Sequence, residues 1–63
     1  MLNMFGYAAI RGNPDGSESF DWFSFSENPF DAETKSRFNS LVQPAWANDH
    51  PVLRVVRIHI QEQ

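Results

Sequence analysis

Apolar and polar positions alternate with a period of two in three stretches of the chain, and one helical pattern lies between the second and third. Residues 4–11 predict a first strand: Phe5, Tyr7 and Ala9 share one face, and Met4, Gly6, Ala8 and Ile10 share the other. Both faces are uncharged, which suits a strand in the middle of a sheet. Gly6 inside it signals a bulge or the close approach of another element. Gly12-Asn13-Pro14-Asp15-Gly16 then predicts a hairpin turn. Pro14 fixes φ, Asp15 offers a turn-forming carboxylate, and Gly16 accepts a positive φ. Residues 17–26 predict the second strand. Phe20 and Trp22 alternate with Asp21, and Phe23 and Phe25 then alternate with Ser24 in the opposite phase. That change of phase means either a β-bulge near Trp22-Phe23 or a strand covered on both faces. The number of aromatic side chains favours the second.

Asn28-Pro29-Phe30-Asp31 predicts a helix start, with Asn28 as N-cap, Pro29 in the first turn and Asp31 at the positive end of the dipole. Phe30, Thr34, Phe38, Leu41 and Ala45 recur at helical spacing and predict the buried stripe. Pro44 removes a backbone donor and ends or kinks the helix near Gln43, with one further turn available from Pro44 to Ala47. Residues 52–60 are rich in β-branched side chains and predict the third strand. Val52, Arg54, Val56, Ile58 and Ile60 share one of its faces, and Leu53, Val55, Arg57 and His59 the other.

The order strand, strand, helix, strand predicts a single α+β domain over residues 1–63, a ββαβ unit with sheet order 2-1-3. One helix packs on one face of that sheet. Phe30, Phe38, Leu41, Val56 and Ile58 are then the expected core, where the helix stripe meets the last strand. The opposite face is expected to be bare, lined by hairpin aromatics with Leu53, Val55, Arg57 and His59. The third strand leaves an open edge.

Composition narrows the function classes. The chain has 63 residues, no cysteine, 14% aromatic residues and a net charge of −3. A chain this short buries only about 60% of its unfolded surface, so its margin of stability is small. Without cysteine there is no disulfide framework, thiolate metal site or cysteine nucleophile. The acidic balance disfavours direct nucleic-acid binding. No apolar run is long enough to span a bilayer, and the start Met1-Leu2-Asn3-Met4 lacks the pattern of a secretory signal. The expected location is therefore the cytosol.

The charges are unevenly placed along the sequence. Asp15, Glu18, Asp21, Glu27, Asp31 and Glu33 occur with no intervening base, whereas Lys35, Arg37, Arg54 and Arg57 dominate the rest of the chain. An acidic surface of this kind either solvates a small protein or imitates a nucleic-acid backbone in a basic groove. Other chemistry is thin. His50 and His59 lack a third metal ligand at suitable spacing. Asp21, Glu27 and Asp31 offer carboxylates but no activated nucleophile, phosphate loop or triad accompanies them. Neither an enzyme nor a cofactor is expected.

Asp31-Ala32-Glu33-Thr34 at the helix start and Val52-Leu53-Arg54-Val55-Val56-Arg57-Ile58 in the last strand, in this order of elements, resemble small phage-encoded host-takeover proteins. The short podophage inhibitors of bacterial RNA polymerase are among them. The resemblance implies an inhibitor or modifier of a larger host machine that handles nucleic acid: RNA polymerase, a nuclease or a CRISPR effector. It transfers no individual site residue. Asp15, Glu18, Asp21, Trp22, Glu27, Arg54 and Arg57 are the expected partner-binding residues, from acidic run, aromatic face and strand edge. The alternative is a subunit that associates with copies of itself through the bare sheet face.

Overall fold

The computed structural model describes residues 1–62. They form β1 (Asn3–Gly12), β2 (Glu18–Ser26), α1 (Pro29–Val42), α2 (Pro44–Asp49) and β3 (Val52–Gln61). The strands make one sheet in the order β2-β1-β3, antiparallel at both pairings. β1, uncharged except for Arg11 near its end, is central, and the α+β layout is the one expected.

Local chemistry accounts for the joints. In the hairpin, the Gly16 N–H donates to the Asn13 carbonyl at 2.9 Å, and Gly16 takes a φ of 91°. This is a tight turn followed by a left-handed glycine, a common three-residue hairpin solution. At the start of α1, the Asn28 side-chain oxygen accepts from the Asp31 N–H at 2.8 Å, and the Asn28 amide donates to the Asp31 carboxylate at 2.9 Å. Pro29 occupies the first turn. Pro44 separates α1 from α2, with Gln43 serving as the cap of both.

The change of phase in β2 is a bulge. Ala9 pairs with Asp21 and Tyr7 with Ser26, so Ala8 alone faces residues 22–25. The Ser24 hydroxyl stitches this gap: it accepts from the Ala9 N–H at 2.8 Å and donates to the Asp21 carbonyl at 2.6 Å. A side chain thus satisfies backbone groups that the bulge leaves unpaired. Phe23 comes within stacking distance of Phe38 on α1, with ring centroids 6.4 Å apart. Phe25 lies over Gly6, where a Cβ would come within 2.5 Å of its ring. Gly6 is therefore required for close approach.

The helix phase departs from expectation. α1 buries Ala32, Ser36 and Asn39 against the sheet, and the apolar stripe points outward. Phe30, Phe38 and Leu41 are 73%, 54% and 73% exposed. The reason lies in β1 and β2. Arg11 and Asp21 project towards the helix, and a buried ion pair demands polar partners. The small and polar side of α1 supplies them. The last strand is turned over accordingly. Val55, Arg57 and His59 pair with Ala9, Tyr7 and Phe5, and so lie on the side of the sheet that carries the helices. Val56, Ile58 and Ile60 pair with Ala8, Gly6 and Met4, on the bare side, and are half-buried there. A register shift between Ile10 and Arg11 brings Leu53 against Gly12.

Candidate functional site

On the helix side of the sheet lies a polar interior built around Arg11. Its Nε donates to Asp21 Oδ2 at 2.9 Å, and Nη1 donates to the His50 carbonyl at 2.7 Å. Nη2 donates to the Ser36 carbonyl and to the Ser40 hydroxyl, each at 2.9 Å. Asp21 also accepts from the Asn39 amide at 3.2 Å and from the Ser36 hydroxyl at 3.3 Å. The Trp46 ring lies 4.6 Å from the guanidinium carbon and stacks on His50, so α2 closes the network. Among the described residues, every buried side-chain nitrogen or oxygen has a partner. A charge pair so fully bonded orients elements and fixes the helix phase. It offers no free group to a substrate.

The other side of the sheet is a bare apolar face. Met4, Phe20, Trp22, Val56, Ile58 and Ile60 lie there, with Ala8 and Ile10 buried beneath them. The Phe20 and Trp22 rings stand 4.7 Å apart, and Trp22 is 57% exposed. Phe25 reaches the same face over Gly6. At its edge, Arg54 Nη2 donates to Glu18 Oε1 at 2.7 Å across β1. That hydrogen bond and charge hold the Glu18 carboxyl below its ordinary value of 4.5, and Glu18 in turn raises Arg54. Large aromatics ringed by a polar rim are the composition of a protein-binding patch.

The expected site residues separate. Trp22, Glu18 and Arg54 come together on the bare face. Asp21 is 5% exposed and tied to Arg11, so it leaves the candidate surface. Asp15 sits in the hairpin turn, where its carboxylate accepts from the hydroxyl and backbone N–H of Ser17. Those bonds lower its pKa below the ordinary 3.8. Glu27 lies exposed between β2 and α1. Arg57 is on the opposite side, its guanidinium carbon 5.0 Å from the centre of the Phe5 ring, which also stacks on His59. The acidic run therefore does not form one continuous acidic surface: Asp21 is buried, and Glu18 and Glu33 are paired with Arg54 and Arg37.

Two features had weak signals in the sequence. Arg11 at the end of an otherwise uncharged strand and Asp21 between aromatics are a matched pair of misplaced charges. The small polar series Ala32, Ser36 and Asn39 at helical spacing marks the face that receives them. Among the described residues, no group of three histidine and carboxylate side chains is placed to hold a metal ion, and no helix is long and apolar enough to cross a membrane.

Comparison with known proteins gives no match to a family model, a curated protein or a solved structure.

Proposed function

We propose that this is a non-enzymatic binding protein that docks on a larger partner through the bare face of its sheet. The observation that carries the reading is the exposed Phe20–Trp22 pair on an apolar sheet surface rimmed by the Glu18–Arg54 pair. Aromatic side chains of this size act as anchors when a partner buries them, and the rim charges set orientation. The class of partner comes from the resemblance in element order: a host machine that handles nucleic acid, met in the host cytosol and blocked by occupancy. Burial of Asp21 and pairing of Glu18 shift the emphasis from acidic mimicry to the aromatic face, with Asp15 and Glu27 left as peripheral charges.

The test is inhibition of purified bacterial RNA polymerase, a nuclease and a CRISPR effector, each in its own activity assay. For the enzyme inhibited, Trp22→Ser should weaken inhibition at least tenfold. The triple reversal Asp15→Lys, Glu18→Lys, Glu27→Lys should weaken it less and mainly slow association. Loss of inhibition by the triple variant beside a fully active Trp22→Ser protein would move the site to the acidic residues. Inhibition of none of the three would remove the partner class. Self-association is the second reading, and the outward stripe of α1 favours it.

A further inference from the structure

The stripe of α1 is a second apolar surface, separate from the bare sheet face. Phe30, Phe38, Leu41 and Val42 lie on the outer side of the helix, and Phe23 of the β2 bulge extends the stripe beside Phe38. All five are more than half exposed. Taking ~200 Å² for a fully exposed side chain of this size, they leave roughly 600 Å² of apolar surface. Two such stripes pressed together would bury about 1,200 Å², the lower end of a stable specific interface.

Charge on the margins of the stripe selects the occupant. At 100° per residue, Glu33 and Arg37 line one margin, while on the other side Asp31 is bonded to Asn28 and Lys35 donates to the Phe25 carbonyl. On the Glu33–Arg37 margin the acid precedes the base by one turn. Glu33 and Arg37 already pair at 2.8 Å on the exposed helix surface. A parallel copy would bring the Glu33–Arg37 margin against the opposite margin of its partner, where Glu33 and Arg37 do not meet. An antiparallel copy centred near residue 35 sets Glu33 beside Arg37 of its partner on that margin and opposes the two helix dipoles.

We infer that a second copy of this chain covers the stripe, its α1 antiparallel to the first about a two-fold axis near Lys35. In that register Phe30 packs against Leu41 of the other copy, and Glu33 meets Arg37 on both sides of the axis. The contact is self-complementary, as a two-fold interface requires. The resulting dimer has its helices at the centre and presents two bare sheet faces outward, so the binding surface proposed above is duplicated and left free.

Light scattering on the wild-type protein tests this first: the expected mass at 100 μM, a concentration chosen to be about that of a weak dimer, is twice 7.3 kDa. A mass of 7.3 kDa there overturns the inference. Phe38→Glu with Leu41→Glu should raise the dimer dissociation constant at least 100-fold with an unchanged circular dichroism spectrum, and Trp22→Glu should leave it unchanged. The reverse pattern would mean that copies meet through their sheet faces, which overturns the helix assignment. Orientation is read by disulfides, since the chain has no cysteine of its own. An oxidised mixture of Glu33→Cys and Arg37→Cys proteins should yield the mixed disulfide at least fivefold over either symmetric one. Symmetric products equal to or above the mixed one would refute the antiparallel assignment. None of these readouts depends on the larger partner, so its absence leaves the dimer test intact.

Discussion

The two sides of the central strand have opposite chemistry. The side under the helices is narrow, small and polar, and it is the better buried: Ala9, Arg11, Asp21, Ser36 and Asn39 are all buried there. The other side carries Met4, Phe20, Trp22, Val56, Ile58 and Ile60 and lies open. Among the described residues, the buried hydrophobic ones are Ala8, Ala9, Ile10 and Ala32, none of them aromatic. The usual assignment of large apolar side chains to the interior and polar ones to the surface is thus partly inverted. Specificity of the fold rests on a hydrogen-bonded ion pair, whereas the hydrophobic surface that normally drives folding is left available for association.

The sharpest way to break this contrast is to remove one charge from the interior. Asp21→Ala leaves the Arg11 guanidinium buried without its counter-charge, a change that costs about 3–5 kcal/mol. That is comparable with the whole stability, about 3–9 kcal/mol, of a domain of this size. We expect loss of the thermal unfolding transition by circular dichroism. A variant that melts like the wild type would mean that the Arg11 network does not hold the helix to the sheet.

Gly6→Ala should be next in size. The added methyl would meet the Phe25 ring at 2.5 Å and the Ser26 carbonyl at 2.9 Å. The ring can rotate but the carbonyl belongs to the ladder, so we expect a loss of about 1–3 kcal/mol from overpacking, read from denaturant midpoints. A stability equal to that of wild type would show that β2 shifts freely at its bulge.

The outer side of α1 should behave in the opposite way. For a Phe in a core, truncation to Ala costs about 3–5 kcal/mol. Phe38→Ala, on this exposed stripe, should change the unfolding free energy of the monomer by about 1 kcal/mol or less. Measurement at low protein concentration, where association does not contribute, checks it. A core-sized loss there would restore the helix phase expected from apolar spacing.

The smallest effect concerns acid. Asp15 and Glu18 are held below their ordinary values by Ser17 and by Arg54 respectively. Carboxyls with lowered folded-state pKa contribute stability that is complete above the unfolded value and lost as the pH falls through the folded one. For Glu18 the loss begins below its ordinary 4.5 and for Asp15 below 3.8. Both are solvent-exposed, so the decline is slight, and Glu18→Gln should flatten the upper part of it. An unchanged acid profile in Glu18→Gln would show that the Arg54 contact carries no stability.

The elements and their order were legible in the chain alone. An uncharged stretch suited to the centre of a sheet, an Asn-Pro-Asp-Gly turn, an Asn-Pro helix start, a proline break and a β-branched last strand are local signals. Each acts through the conformational preference of a few neighbouring residues. They also sufficed for the sheet order, since the charges on the other two strands favour the edges. The candidate surface was half legible: Trp22, Glu18 and Arg54 come together, but Asp21 does not remain with them. Which side of each element faces inward emerged only from the packing of all of them. Periodicity identifies a stripe on α1 but not the direction in which it points. That direction is set by Arg11 and Asp21, ten residues apart on neighbouring strands, whose desolvation is tolerable only against Ser36, Asn39 and Ser40. Burial of a charge pair with all its hydrogen bonds supplied is a many-body condition across three elements, and no window of sequence contains it.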